Sequence, residues 1–185
     1  MGDSPMFRKF MIILMPLILV LVTVPGHATM VRKMDLEEMC QLAGRIFRGT
    51  VVDIEKGTVS AGGGKISTIT YRIKIAEQLK GVFADAINGD SILSISTVDL
   101  PVIEVPRLAV GQHYLLLTTA PSSAGLSTMV GLGQGTFKIY GGSNAEMAVN
   151  ALNNIGLAKG LTGPVPYQDI ADRIRGALRK EGPRK

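Results

Sequence analysis

One cysteine, Cys40, and two histidines, His27 and His113, are the whole supply of soft or imidazole ligands in this 185-residue chain. His27 lies in an N-terminal segment read below as a leader, which leaves one Cys and one His. A zinc centre takes three or four nitrogen, sulfur or carboxylate ligands, so no metal site is expected. Cys40 and His113 are formally a nucleophile and a base. Cys40, however, falls with Leu36, Met39 and Ala43 at the i, i+3, i+4, i+7 spacing of one helix face. That placement predicts a buried thiol acting as a small hydrophobe. His113 sits beside Tyr114 in an apolar run, and no G-x-S-x-G elbow is present to build a triad around it. Asp53 and Glu55 lie two apart, on one face of a strand. They are read as a solvated strand face, with a bound cation as the other use of two carboxylates. Gly131-Leu132-Gly133-Gln134-Gly135 has the wrong spacing for a dinucleotide fingerprint. Ala61-Gly62-Gly63-Gly64-Lys65 lacks the first glycine and the final Ser or Thr of a phosphate loop. Both runs read as backbone geometry, because glycine is the default wherever φ is positive. No catalytic residue, cofactor site or metal site emerges, and the chain is expected not to be an enzyme.

The elements that would position these residues are mostly strands. Met34 to Ala43 predicts a short helix, with Asp35 as N-cap and Glu38 three residues on, as in a capping box. Arg45 to Glu55 is rich in β-branched residues and reads as a strand. Gly57 to Lys65 reads as a glycine-rich turn, and Thr68 to Ile75 alternates as a half-wet antiparallel strand, so the pair predicts a hairpin. Ser91 to Val98 and Gly111 to Thr119 are third and fourth strands. Leu126 to Tyr140 is a fifth strand or bent pair interrupted by Gly131, Gly133 and Gly135. Asn144 to Leu157 reads as a helical turn. A last helix spans about Tyr167 to Lys180, with Tyr167, Ile170, Ala171, Ile174, Ala177 and Leu178 as its apolar stripe.

The N-terminus carries an address. Arg8 and Lys9 precede fifteen uncharged residues, Phe10 to Val24, and then Pro25, Gly26, His27 and Ala28. Basic start, apolar middle and small-residue cut site are the layout of a secretory signal peptide. A spanning helix needs about 20 apolar residues, so residues 1–28 are expected to be cleaved near Ala28. Membrane contact is then limited to this segment before cleavage, and the protein is secreted or periplasmic. Loss of Arg8, Lys9 and Asp3 from the 20 basic and 15 acidic residues leaves 18 and 14, a net charge of +4. Lysines and arginines are scattered, tryptophan is absent and aromatics make up 5%. A nucleic-acid-binding domain would cluster its cations with aromatics between them, so no nucleic acid is expected as a partner.

The order of motifs resembles a family of small exported bacterial proteins, mostly uncharacterised, with a predicted OB-like barrel. The pieces that carry it are RIFRGTVVDIE from Arg45, ITYRIKIAEQLKG at Ile69 to Gly81, VGQHYLLLTT at Val110 to Thr119 and VGLGQGTFKIY at Val130 to Tyr140. The barrel is similar to the inhibitory domain of the tissue inhibitors of metalloproteinases. Those inhibitors carry a mature N-terminal cysteine and several disulfides, where this chain has Thr29 and one cysteine. The resemblance implies a mainly β or α+β fold: an OB-like antiparallel barrel of about five strands over residues 29–163, with a short N-terminal helix. Residues 164–185 are the amphipathic helix and charged tail, expected to dock on the barrel.

OB barrels bind through a face and its bordering loops. The expected function is a non-enzymatic exported binding module with a protein partner, either a secreted protease or an envelope component. The alternative is an inhibitor or accessory of a secreted metalloprotease. The stretch Thr97 to Pro106 holds Val98, Leu100, Val102, Ile103 and Val105, more apolar than a solvated loop. These five are the candidate partner-binding residues, with packing onto the barrel as their other use.

Overall fold

The computed structural model describes residues 32–61, 63–83, 91–100, 106–142 and 145–181. The predicted leader, with its cleavage site, lies outside these residues. So do Val102, Ile103 and Val105.

Over the described residues the fold is β-rich with two helices. In chain order it runs α1 (Leu36–Leu42), β1 (Arg45–Ala61), β2 (Gly64–Lys80), β3 (Ile92–Val98), β4 (His113–Thr118), β5 (Thr136–Tyr140), β6 (Met147–Asn150), β7 (Val165–Pro166) and α2 (Tyr167–Glu181). All seven strands join one antiparallel sheet in the order β3-β2-β1-β4-β5-β6-β7. This corrects the expected five-strand barrel: the sheet is open, with β3 and β7 at its edges. Segment 126–129 forms two isolated β-bridges with the sheet. Leu126 bridges Ser96 on the outer edge of β3, and Met129 bridges Thr118 at the end of β4.

Three further expectations change. β1 runs six residues past Glu55 and β2 begins at Gly64, so most of the predicted Gly57–Lys65 turn is strand pairing. Both strands span 17 residues. Glycine tolerates extended backbone as well as turns, so its presence alone did not end the strand. Second, Met147–Asn150 is a strand and not a helical turn; it pairs with β5 and then turns at Asn153 and Asn154. Third, only Thr136–Tyr140 of the predicted Leu126–Tyr140 run is strand. The rest folds into a turn in which Gly135 N–H donates to the Val130 carbonyl at 2.9 Å. A Cβ on Gly135 would lie 2.6 Å from that carbonyl oxygen, so glycine is required there.

The sheet carries a core on each face. Successive strand residues point to opposite sides, so Ile46 faces one core and Phe47 the other, while Leu115 and Leu117 oppose Leu116. β4 is therefore apolar without alternation. On one face α1 and α2 supply Met39, Cys40, Tyr167, Ile170, Ala171 and Ile174, all 0–1% exposed. On the other face β1, β2 and β3 contribute Phe47, Val51, Ile73, Leu93 and Ile95, joined by Leu108 and Met129 from the connections.

Candidate functional site

The described part of the candidate loop borders an apolar cleft of about 90 Å³ at the free end of β3. β2 places Tyr71 in its floor, because the alternation of that strand sends Ile69, Tyr71 and Ile73 inward together. β3 ends in Val98, and Leu100 follows it onto the rim at 48% exposure. Met129, 7% exposed, and Leu132, 37% exposed, line the same cleft.

Both exposed leucines are held from behind. Asp99 donates its N–H to the Ser67 carbonyl at 2.9 Å, and its carboxylate accepts from Arg107 at 2.8 Å. The two ends of the segment between them are thus braced together. Leu132 has φ of +59°, unusual for a leucine. Gln134, 2% exposed, fixes that turn: its Oε1 accepts from Met34 N–H, and its Nε2 donates to the Arg32 and Gly131 carbonyls. An exposed apolar side chain is therefore presented by a rigid turn. Burial pushes the Tyr71 phenol above its ordinary pKa, with a smaller opposing effect from its hydrogen bond to the Leu108 backbone. Tyr71 is accordingly a neutral floor, and charge is confined to the Asp99–Arg107 pair.

Small-molecule pockets run to about 300–1,000 Å³. A cleft of 90 Å³ has room for one aliphatic side chain at most. Its lining is apolar apart from the hydroxyls of Tyr71, Thr97 and Thr128, and it contains no His, Cys, Asp, Glu, Lys or Arg, so its chemistry is mainly apolar contact. Of the five predicted residues, Val98 and Leu100 line this cleft. Sequence reasoning did not single out Tyr71, Met129 and Leu132. The positive φ at Leu132 leaves no signature in the residue type.

The residues weighed for chemistry stand apart. Cys40 is fully buried in α1 beside the Thr118 end of β4, where Gly44 N–H donates to the Thr118 carbonyl. His113 opens the other end of β4, exposed, its Nδ1 2.8 Å from Thr50 Oγ1. Five residues of strand separate those ends by about 17 Å. Asp53 and Glu55 do share a face, and the cation they hold is Arg72, at 3.7 and 3.3 Å. Among the described residues no three of His, Cys, Asp and Glu gather where a metal ion would fit.

A second polar constellation binds α2 to the sheet. Arg48 on β1 forks onto Glu146, with one bond at 2.8 Å, and its guanidinium lies 4.7 Å from the Tyr167 ring centre. The Tyr167 hydroxyl donates to Glu77 on β2 at 2.5 Å, and Glu77 also accepts from Arg175. Burial raises the Tyr167 phenol pKa strongly, and the Glu77 hydrogen bond adds to the rise. Every charge in this chain of contacts has its partner inside it, so its chemistry is spent on holding α2. The chain matches no protein-family model and no curated protein.

Proposed function

We propose that this chain is a non-enzymatic, exported binding module whose partner is a protein, an envelope component or a secreted protease. The observation that supports this reading is the cleft at the end of β3, rimmed by Leu100 and Leu132. Large apolar side chains at the mouth of an apolar cleft, mounted on braced turns, form a preorganised anchor site. Interface energy concentrates in such pockets, where one anchor side chain is fully desolvated. The export signal read from residues 1–28 makes the encounter an extracytoplasmic one.

A photo-crosslinking amino acid at Leu100 or at Leu132, in cells producing the full chain, tests the reading. Both positions should capture the same discrete protein, and Thr58 on β1 should capture none. Leu100→Asp should leave the melting temperature within about 1 °C, as surface changes ordinarily do, and abolish capture. Equal labelling from Thr58, or capture unaffected by Leu100→Asp, would remove this cleft from the functional account.

A further inference from the structure

The turn after β6 is built with unusual care for a surface feature. Asn154 is fully buried and Asn150 is 6% exposed. Asn150 Oδ1 accepts from the Leu152 and Asn154 N–H groups, and Asn154 Oδ1 accepts from Asn150 N–H. Asn154 Nδ2 donates to the Ala148 and Gly163 carbonyls, which ties the turn to β6 and to the chain entering β7. Asn153 and Asn154 take φ of +54° and +59°, a conformation asparagine tolerates better than most residues. This frame holds two large apolar side chains outward, Leu152 at 37% and Ile155 at 47% exposure. Neither belongs to either core.

Cations surround the same turn. Gly156 follows Ile155 and borders an open groove of about 630 Å³ between the turn, α1 and α2, whose rim carries Lys159, Arg173 and Lys180. The aliphatic stem of Lys33 comes within 3.7 Å of where a Gly156 Cβ would stand. Lys33, Lys159 and Arg173 are exposed and have no carboxylate partner among the described residues. The carboxylates of the groove are engaged: Asp35 caps α1 by accepting from Glu38 N–H, and Glu37 faces Lys180 at 3.4 Å.

From this combination we infer that residues 151–156 form a tip that seats on an anionic lipid bilayer, with Leu152 and Ile155 entering the interface and Lys33, Lys159 and Arg173 meeting the head groups. Apolar insertion flanked by unpaired cations is the chemistry that an anionic bilayer surface complements. A rigid frame adds to it, because the apolar pair is ordered before contact and little entropy is lost on docking. The inference is separate from the cleft at β3 and goes beyond the expectation that only the leader meets a membrane.

A site-specific probe separates the tip from any contribution of the N-terminal segment. The full chain carrying Ile155→Cys is labelled with an environment-sensitive fluorophore, Cys40 being fully buried. It is then mixed with phosphatidylglycerol vesicles or with neutral phosphatidylcholine vesicles. The probe should shift to the blue and gain intensity on the anionic vesicles only, while the same probe at Thr58→Cys stays unchanged. Adding Lys159→Gln and Arg173→Gln should weaken the response on the order of thirty-fold, at about 1 kcal/mol for each cation. Leu152→Asn should weaken it further without changing the circular dichroism. No shift at residue 155, equal shifts on neutral vesicles, or indifference to the two glutamine substitutions would each overturn the assignment.

Discussion

The two faces of the sheet are closed by different means. The helix-bearing face is sealed by side chains: α1 and α2 lay an apolar stripe on it, and the Glu146–Arg48–Tyr167–Glu77–Arg175 chain pins α2 in place. The opposite face is sealed by backbone. β1, β2 and β3 supply its wall, and segment 126–129 reaches it through two single-residue bridges. Side-chain closure covers the first core up to the open groove at the α1–α2 seam. Backbone closure leaves the cleft lined by Leu100 and Leu132 over the second. A sheet covered by amphipathic helices hides its apolar surface, whereas one covered by connections exposes what those connections fail to reach. That difference locates the candidate partner site.

The largest expected effect tests whether both cores fold as one unit, since β1 and β4 serve both. Phe137, fully buried on the helix-bearing face, should cost about 3–5 kcal/mol when replaced by alanine. Leu116, fully buried on the other face, should cost about 2–5 kcal/mol. Chemical denaturation of each variant, followed by both near- and far-ultraviolet dichroism, should show one coincident transition. Separate transitions for the two probes would break the shared-strand account and make the faces independent.

A smaller effect sharpens the contrast in closure. Arg48→Met keeps an apolar stem beside Tyr167 but removes the fork on Glu146 and the cation over the ring. The pair is partly exposed, with side chains 20% and 28% accessible, so solvent screening reduces its worth. A loss of about 1–2 kcal/mol is expected from the charged hydrogen bonds. Hydrogen exchange should quicken in α2 and leave β3 unchanged. Equal quickening in β3 would show that the network supports the whole sheet.

Much of the architecture was legible where one residue type has one use. The stripe Tyr167, Ile170, Ala171, Ile174 and Ala177 on α2 is buried, and Asp35 caps α1 by accepting from Glu38 N–H at 2.7 Å. The alternation of Ile69, Tyr71, Ile73 and Ile75 identified an inward face because β2 has one wet side. Illegible parts follow from residues with several uses. Gly57 and Gly64 read as turn, yet both lie in paired strand. β6 is four residues long, too short for its period to stand out, and its turn depends on asparagine side chains bonding backbone. At the candidate site, Val98 and Leu100 were found through apolar composition. Met129 and Leu132 arrive from 29 or more residues further along the chain, and only tertiary structure brings them there.

The smallest expected effect is a difference in alkaline stability, again assigned to the helix-bearing face. The Tyr167 phenol is raised above its ordinary 10.0 by burial first and by Glu77 second. A group whose folded-state pKa is raised contributes stability that is fully present below its unfolded pKa. That stability is lost as pH rises toward the folded value. The window therefore opens near pH 10 and extends upward, with a slope from this group of at most about 1.4 kcal/mol per pH unit. Tyr71, on the other face, is also raised by burial and titrates in the same direction. Its ring floors the cleft, and the Asp99 carboxylate adds only a minor rise, which Arg107 and the Leu108 backbone oppose. Melting temperatures measured between pH 8 and 11 for the parent, Tyr167→Phe and Tyr71→Phe variants separate the two. Tyr167→Phe should flatten the alkaline decline more than Tyr71→Phe, because Tyr167 is hydrogen-bonded directly to a carboxylate, whereas Tyr71 feels Asp99 only weakly and with Arg107 opposing it. An equal flattening from both variants would mean that burial alone governs the decline. The Glu77 hydrogen bond would then add nothing to the hold on α2.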